Sequence, residues 1–104
     1  MKNSAKEAAS FEVLANERSR VLGSLIFGTV SALLSVGSAA IHRGEAGVID
    51  LSAVTASDSS GLALLIEWLS VAKDAHRTLR YENVPPQLQQ LARLSEIEEL
   101  LAAG

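Results

Sequence analysis

The chain has 104 residues, which suits a single domain, and 48% of them are hydrophobic, enough to build a buried core. The net charge of −3 without a basic run argues against nucleic-acid binding, and the absence of cysteine excludes disulfides, zinc–thiolate sites and thiol nucleophiles. The two histidines stand alone, so we expect no metal and no cofactor. The N-terminus has no apolar segment behind its lysines, which predicts a cytoplasmic protein without a secretory signal.

The domain is predicted to span 11–104, preceded by a flexible tail at 1–10. The run from Val21 to Ile41 carries no charged residue and has about the length of a membrane span. Serine, threonine and glycine dilute it, however, and its pattern changes near Gly28. A strand followed by an amphipathic helix accounts for the run better, so we predict no span.

A hairpin and a helix are predicted for the first part of the domain. The residues at 11–14 and 20–27 suit two strands, paired across the turn at 16–18. Thr29 is predicted to cap a helix whose apolar residues recur at helical spacing until Arg43-Gly44.

Strands and helices alternate through the rest of the chain. They are predicted as a strand at 47–51, a polar connection at 52–57, a helix at 58–75, a strand at 79–84, a helix at 86–94 and a short terminal helix that begins with a capping box at 95–98. The order β-β-α-β-α-β-α-α predicts an α/β fold: one mixed sheet of about four to five strands with helices packed against it.

The start of the longest predicted helix, Asp58-Ser59-Ser60-Gly61, is the candidate site. The Asp58 carboxylate suits an N-cap, which places the hydroxyls of Ser59 and Ser60 at the positive end of the helix dipole. Gly61 would let another backbone approach closely. A plain helix cap made of small residues would have the same composition.

The same helix carries two apolar stripes, although a helix on one side of a sheet needs only one. The first stripe is Leu62, Leu65, Ile66 and Leu69, and the second is Leu64, Trp68, Val71 and Ala75. Either a neighbouring helix, such as the C-terminal one, or a partner protein anchored on Trp68 could cover the second stripe.

Catalysis is not expected. A serine nucleophile needs a base and a group that orients the base, and neither histidine lies in such a motif. The sequence also lacks a nucleophile elbow of the Gly-x-Ser-x-Gly type and a phosphate-binding loop of the Gly-x-x-x-x-Gly-Lys type.

The strand and polar connection from Val48 to Ser52, followed by the stretch 58–62, resemble the signature of STAS domains. This superfamily includes the bacterial anti-sigma factor antagonists and the MlaB component of the Mla phospholipid transporter. The stretch 61–65 and the C-terminal residues 84–101 are similar to the MlaB branch. That branch commonly has a threonine where Ser59 stands, and in the antagonists this position is phosphorylated. The Ser59-Ser60 pair leaves phosphorylation open here.

The resemblance implies a non-catalytic adaptor that binds and stabilises an MlaF-like ATPase subunit of a phospholipid ABC transporter, peripheral to the inner membrane through that partner, and so supports outer-membrane lipid asymmetry. The implied partner-binding residues are Asp58, Ser59, Ser60, Gly61, Leu64, Trp68 and Thr55. One alternative is an antagonist that binds an anti-sigma factor kinase and is regulated by phosphorylation of Ser59. A third is a module that binds a lipid or small ligand.

Overall fold

The computed structural model describes residues 8–103, with the side chains of 102 and 103 left aside. The elements in chain order are β1 (Ala9–Val13), β2 (Arg18–Leu25), α1 (Val30–His42), β3 (Val48–Ser57), α2 (Ser59–Asp74), β4 (Arg80–Glu82), α3 (Pro86–Leu94) and α4 (Glu98–Ala103). This order and the α/β class are as predicted. β1 begins at Ala9, two residues before the predicted domain start, and residues 1–7 of the predicted tail lie outside the described residues.

The four strands form one mixed sheet in the order β1-β2-β3-β4. β1 and β2 are an antiparallel hairpin, whereas β2–β3 and β3–β4 are parallel. Asn16 and Glu17 both have φ of 61°, the left-handed conformation that the tight turn of this hairpin requires. The connections β2–α1–β3 and β3–α2–β4 advance in the same direction across the sheet. Because crossovers between parallel strands are right-handed, α1 and α2 lie on the same face of the sheet.

The two faces of the sheet differ in chemistry. Val21, Ile49, Leu51 and Tyr81 are buried towards the helices, and the Tyr81 hydroxyl donates to the Leu65 carbonyl at 2.6 Å. Burial raises the pKa of Tyr81 well above its usual range.

The opposite face of the sheet carries charged residues that form ion pairs. Arg18 pairs across the sheet with Glu82, Arg20 pairs with Glu12 of the neighbouring strand at 2.6 Å, and Arg80 pairs with Glu82 of its own strand at 3.1 Å. Because these side chains are partly exposed and satisfy one another, this face is a solvated surface.

β3 is longer than its sequence indicates. The segment 52–57, predicted as a polar connection, continues the strand, because its backbone pairs with β2 from Leu22↔Ala53 to Leu25↔Ser57. Register shifts at two places absorb extra residues of β3. β4 is shorter than predicted and covers only the first part of β3.

One predicted cap is right in position and the other is wrong. Thr29 is the N-cap residue of α1, but its hydroxyl makes no cap hydrogen bond; it donates to the Ser24 carbonyl at 2.6 Å and accepts from the Ile26 N–H. The predicted capping box at 95–98 is wrong. Ser95 ends α3, Glu96 takes a left-handed φ of 61°, and α4 begins only at Glu98. After this turn the Ile97 N–H donates to the Ala92 carbonyl at 2.9 Å, and this hydrogen bond closes the C-terminal end of α3.

The second apolar stripe of α2 is covered by α1 and β1. Trp68 is completely buried, its ring meets Phe11 edge-on with centroids 5.6 Å apart, and its Nε1 donates to the Leu34 carbonyl at 3.4 Å. The other side of α2 packs against α3 and α4. No helix within residues 8–103 is long and apolar enough to cross a membrane.

Candidate functional site

The N-terminus of α2 is held by Asp58, as its sequence predicts. One carboxylate oxygen accepts from the Ser60 N–H at 2.8 Å and the Gly61 N–H at 3.4 Å, and the other accepts from the Phe27 N–H at 3.3 Å. The Asp58 N–H donates to the Leu25 carbonyl at 3.1 Å. A single side chain therefore caps α2 and fixes the loop between β2 and α1 beside it.

Gly61 marks a close approach, but the other backbone belongs to the same chain. A Cβ at this position would lie 2.6 Å from the Leu25 carbonyl oxygen and 2.9 Å from the Leu25 Cβ. Gly61 is buried, and the absence of a side chain allows the first turn of α2 to pack closely against the end of β2.

Ser59 and Ser60 differ in accessibility, although both lie in the first turn of α2. Ser59 is exposed and Ser60 is half-buried. The Ser59 hydroxyl therefore lies at the surface, at the positive end of the helix dipole. Because the Asp58 carboxylate already occupies the Ser60 and Gly61 N–H groups, the Ser59 hydroxyl is the group of this turn that remains accessible from outside.

The remaining predicted site residues do not all reach the same surface. Thr55 is exposed on β3, three residues before the cap, whereas Leu64 is buried apart from an edge that lines a groove. Trp68 has no exposed surface. Its predicted role as a partner anchor is therefore corrected, because the ring belongs to the core between α1, α2 and β1.

A groove between α1 and α2, which the sequence did not reveal, adjoins the site. It has a volume of about 380 Å³ and a mostly apolar lining, which includes Phe27, Leu34, Ser60, Ala63 and Leu64. The sequence predicts that Phe27 ends a strand, but β2 stops at Leu25 and Phe27 is 83% exposed. The Gly28-Thr29 pair that follows was the available signal that the strand ends early.

The opposite side of the site is joined to α3. The buried Ser57 hydroxyl donates to the Gln87 side-chain oxygen at 3.3 Å. This bond ties the last residue of β3 to the first turn of α3. The hydrogen bonds of Ser57 and Asp58 thus connect the end of β3 to α3, to the β2–α1 loop and to the first turn of α2. These connections pre-organise the surface around Ser59.

Catalytic groups do not converge on Ser59 in the geometry described. His42 and His76 are exposed on the surface, at the end of α1 and after α2. Within residues 8–103, no cluster of three or more histidine, aspartate or glutamate side chains could hold a metal ion.

A family model described as "Mlab, STAS domain" matches residues 15–102, most of the chain. The chain belongs to this STAS-domain family. The match includes every element from β2 to α3 and the whole Asp58–Gly61 site. A search of curated proteins found no significant match.

Two solved structures have the same STAS fold. One is the Bacillus cell fate determinant SpoIIAA in its phosphorylated form, with a TM-score of 0.65 and 20% identity over 88% of this chain and 86% of that one. The other is the anti-sigma factor antagonist SpoIIAA in its unphosphorylated form, with a TM-score of 0.64 and 20% identity over 84% of this chain and 83% of that one. At this identity the likeness establishes the fold alone.

Proposed function

We propose that this protein is a non-catalytic cytoplasmic adaptor that binds and stabilises the ATPase subunit of a phospholipid ABC transporter, and is held at the inner membrane by that partner. The observation that carries the proposal is the match of residues 15–102 to a family described as MlaB. The geometry is compatible with the role, because the exposed Ser59 and the neighbouring groove present a rigid mixed polar and apolar surface.

The contact is expected to centre on Ser59. Its hydroxyl donates or accepts a hydrogen bond without rearrangement of α2, since Asp58 already satisfies the Ser60 and Gly61 N–H groups. A carboxylate at position 59 would add charge and bulk in the middle of the interface while favouring the helix dipole. Ser59→Asp should therefore impair docking and leave the fold intact.

The test is affinity capture of the tagged protein from its native membranes in mild detergent, with mass spectrometry of the recovered proteins. The proposal requires an ABC ATPase together with its permease. Ser59→Asp should lose them. Ser10→Asp is the matched control, because Ser10 is an exposed serine on β1 that does not line the groove. A wild-type protein that recovers no transporter subunit would refute the adaptor role.

A second candidate is an anti-sigma factor antagonist regulated by phosphorylation of Ser59. The observations in its favour are the exposed Ser59 hydroxyl and the fold shared with SpoIIAA, which is known in phosphorylated and unphosphorylated forms. This candidate predicts recovery of a soluble kinase-like anti-sigma factor without a transporter. It also predicts phosphate on Ser59 after incubation with that kinase and ATP, and none on the Ser59→Ala variant.

A further inference from the structure

The surface formed by α1 and α2 is unusually poor in charge. The segment from Val21 to Ile41 has no charged residue, and between Ser59 and Ala72 the only charge is Glu67. Several of these uncharged positions face solvent on α1, namely Ser31, Ala32, Ser35, Val36 and Ala39. Interface cores are depleted of charged residues relative to ordinary surface. This face therefore has the composition of a surface that another protein covers.

Phe27 is the largest exposed apolar side chain on this face. It is 83% exposed, yet its backbone is fixed by the hydrogen bond from its N–H to Asp58. It lines the groove together with Val30 and Ser60. An aromatic ring held in place on the rim of an apolar groove loses little freedom on binding and gains much from burial.

Glu67 supplies the only charge in the groove lining. It is exposed, and no ion pair to it occurs within residues 8–103. Ser60, Ala63 or Leu64, and Glu67 follow one another at three- and four-residue spacing, so they form one line along α2, about 10 Å long. A ligand lying along this line would meet a hydroxyl, then small and apolar side chains, then a carboxylate.

An α-helix is the partner element that fits this arrangement. The groove lies between two helices and offers no strand edge for main-chain pairing, which leaves recognition by side chains that insert between α1 and α2. Ala63 and Ser31 are small and would allow close approach. The carboxylate of Glu67 requires a lysine or arginine opposite it, because an interface that buried it unpaired would be penalised.

We propose that the α1–α2 groove binds an amphipathic helix of the transporter ATPase, with an apolar side chain of that helix against Phe27 and Leu34 and a lysine or arginine facing Glu67. This proposal rests on the adaptor function and specifies the partner's chemistry. Ser59 and the groove then form one continuous docking surface, since Ser60 belongs to both.

The test uses the protein and the ATPase subunit identified by membrane capture, each purified, with binding measured by isothermal titration calorimetry. Phe27→Ala should weaken binding by roughly tenfold or more. Glu67→Lys should weaken it further than Glu67→Gln, because reversal adds repulsion to the loss of attraction. Glu99→Lys, the same charge change on α4, which does not line the groove, should bind as the wild type.

Salt dependence isolates the ionic contact. Affinity of the wild type should fall as salt is raised, and the Glu67→Gln variant should show a clearly smaller dependence. Circular dichroism melts of each variant would establish that the fold is retained, as expected for two exposed side chains.

The outcomes separate this inference from the adaptor function. If the ATPase binds and Ser59→Asp abolishes binding while Phe27→Ala and Glu67→Lys bind as the wild type, the groove assignment is overturned and the adaptor role stands. If no ATPase is captured, both are overturned. A third outcome is that the protein sediments with vesicles of anionic phospholipid, that Phe27→Ala abolishes this sedimentation, and that the groove does not bind the ATPase. This outcome would identify the groove as a membrane contact and refute the proposal that it binds a helix of the ATPase.

Discussion

The indole ring of Trp68 lies directly over Gly37, so that α1 and α2 meet where a glycine faces a tryptophan. A Cβ at position 37 would lie 2.7 Å from the Trp68 Nε1 and still nearer to two carbons of the ring. Trp68 is completely buried and is also in contact with Phe11, so it has no room to retreat. The close approach of the two helices that form the groove depends on this pair.

Gly37→Ala is therefore expected to destabilise the protein, although alanine is the better helix former. Overpacking costs about 1–3 kcal/mol, which exceeds the gain of about 1 kcal/mol from helix propensity. Urea unfolding followed by tryptophan fluorescence would measure the change. Ser35→Ala, an exposed substitution on α1, should be neutral or slightly stabilising. An increase in stability on Gly37→Ala would show that the helices separate freely.

Gly61→Ala tests the close packing of the first turn of α2 against the end of β2. The new methyl group would press on the Leu25 carbonyl oxygen, a backbone atom that moves only with the strand. We expect a loss of about 1–3 kcal/mol in the free energy of unfolding. The exposed neighbour provides the comparison, since Ser59→Ala should change stability by less than about 0.5 kcal/mol. Equal effects of the two substitutions would contradict the packing described.

Asp58 is predicted to matter through its hydrogen bonds. Asp58→Ala removes the cap of α2 and the acceptor for the Phe27 N–H, and should cost about 1–2 kcal/mol of stability. Asp58→Asn retains one side-chain oxygen that can accept from the Ser60 and Gly61 N–H groups, so it should recover the part of the loss that comes from the cap of α2, but its amide nitrogen cannot accept from the Phe27 N–H. Hydrogen exchange of the Phe27 and Ser60 amides should accelerate in the alanine variant. Unchanged exchange would show that the cap does not hold the loop.

The exposed face of the sheet should make stability fall in acid. A hydrogen bond from the Asn83 amide holds the pKa of Asp50 below its ordinary range, and the bond from Arg18 does the same for the pKa of Glu82. Because the folded pKa values are lowered, the stabilisation is complete above the ordinary values of about 3.9 and 4.3 and is lost as pH falls through the folded values.

Urea unfolding between about pH 2 and pH 7 would measure this dependence. A double variant, Asp50→Asn with Glu82→Gln, should be less stable at neutral pH, and its free energy of unfolding should fall less steeply as the pH is lowered. If it falls as steeply as that of the wild type, other carboxylates are responsible for the loss of stability in acid.

The sequence predicted the element order because each element carries its own local signal. Hydrophobic periodicity, the Asp58 cap and Pro86 at the first turn of a helix depend only on neighbouring residues, and the helices at 59–74 and 86–94 appear where these signals place them. The STAS signature was readable for the same reason, since it lies in one continuous stretch from Val48 to Leu62.

Only the tertiary structure decided the features that join distant segments. Residues 52–57 are a strand because β2 supplies hydrogen-bond partners, although their side chains alone read as a polar loop. Trp68 is covered by Gly37 and Phe11, which lie 31 and 57 residues earlier in the chain. Phe27 is exposed because Asp58 holds its backbone at the surface. Local patterns report how a segment prefers to fold, whereas burial, close helix contact and the shape of a groove depend on which segments meet.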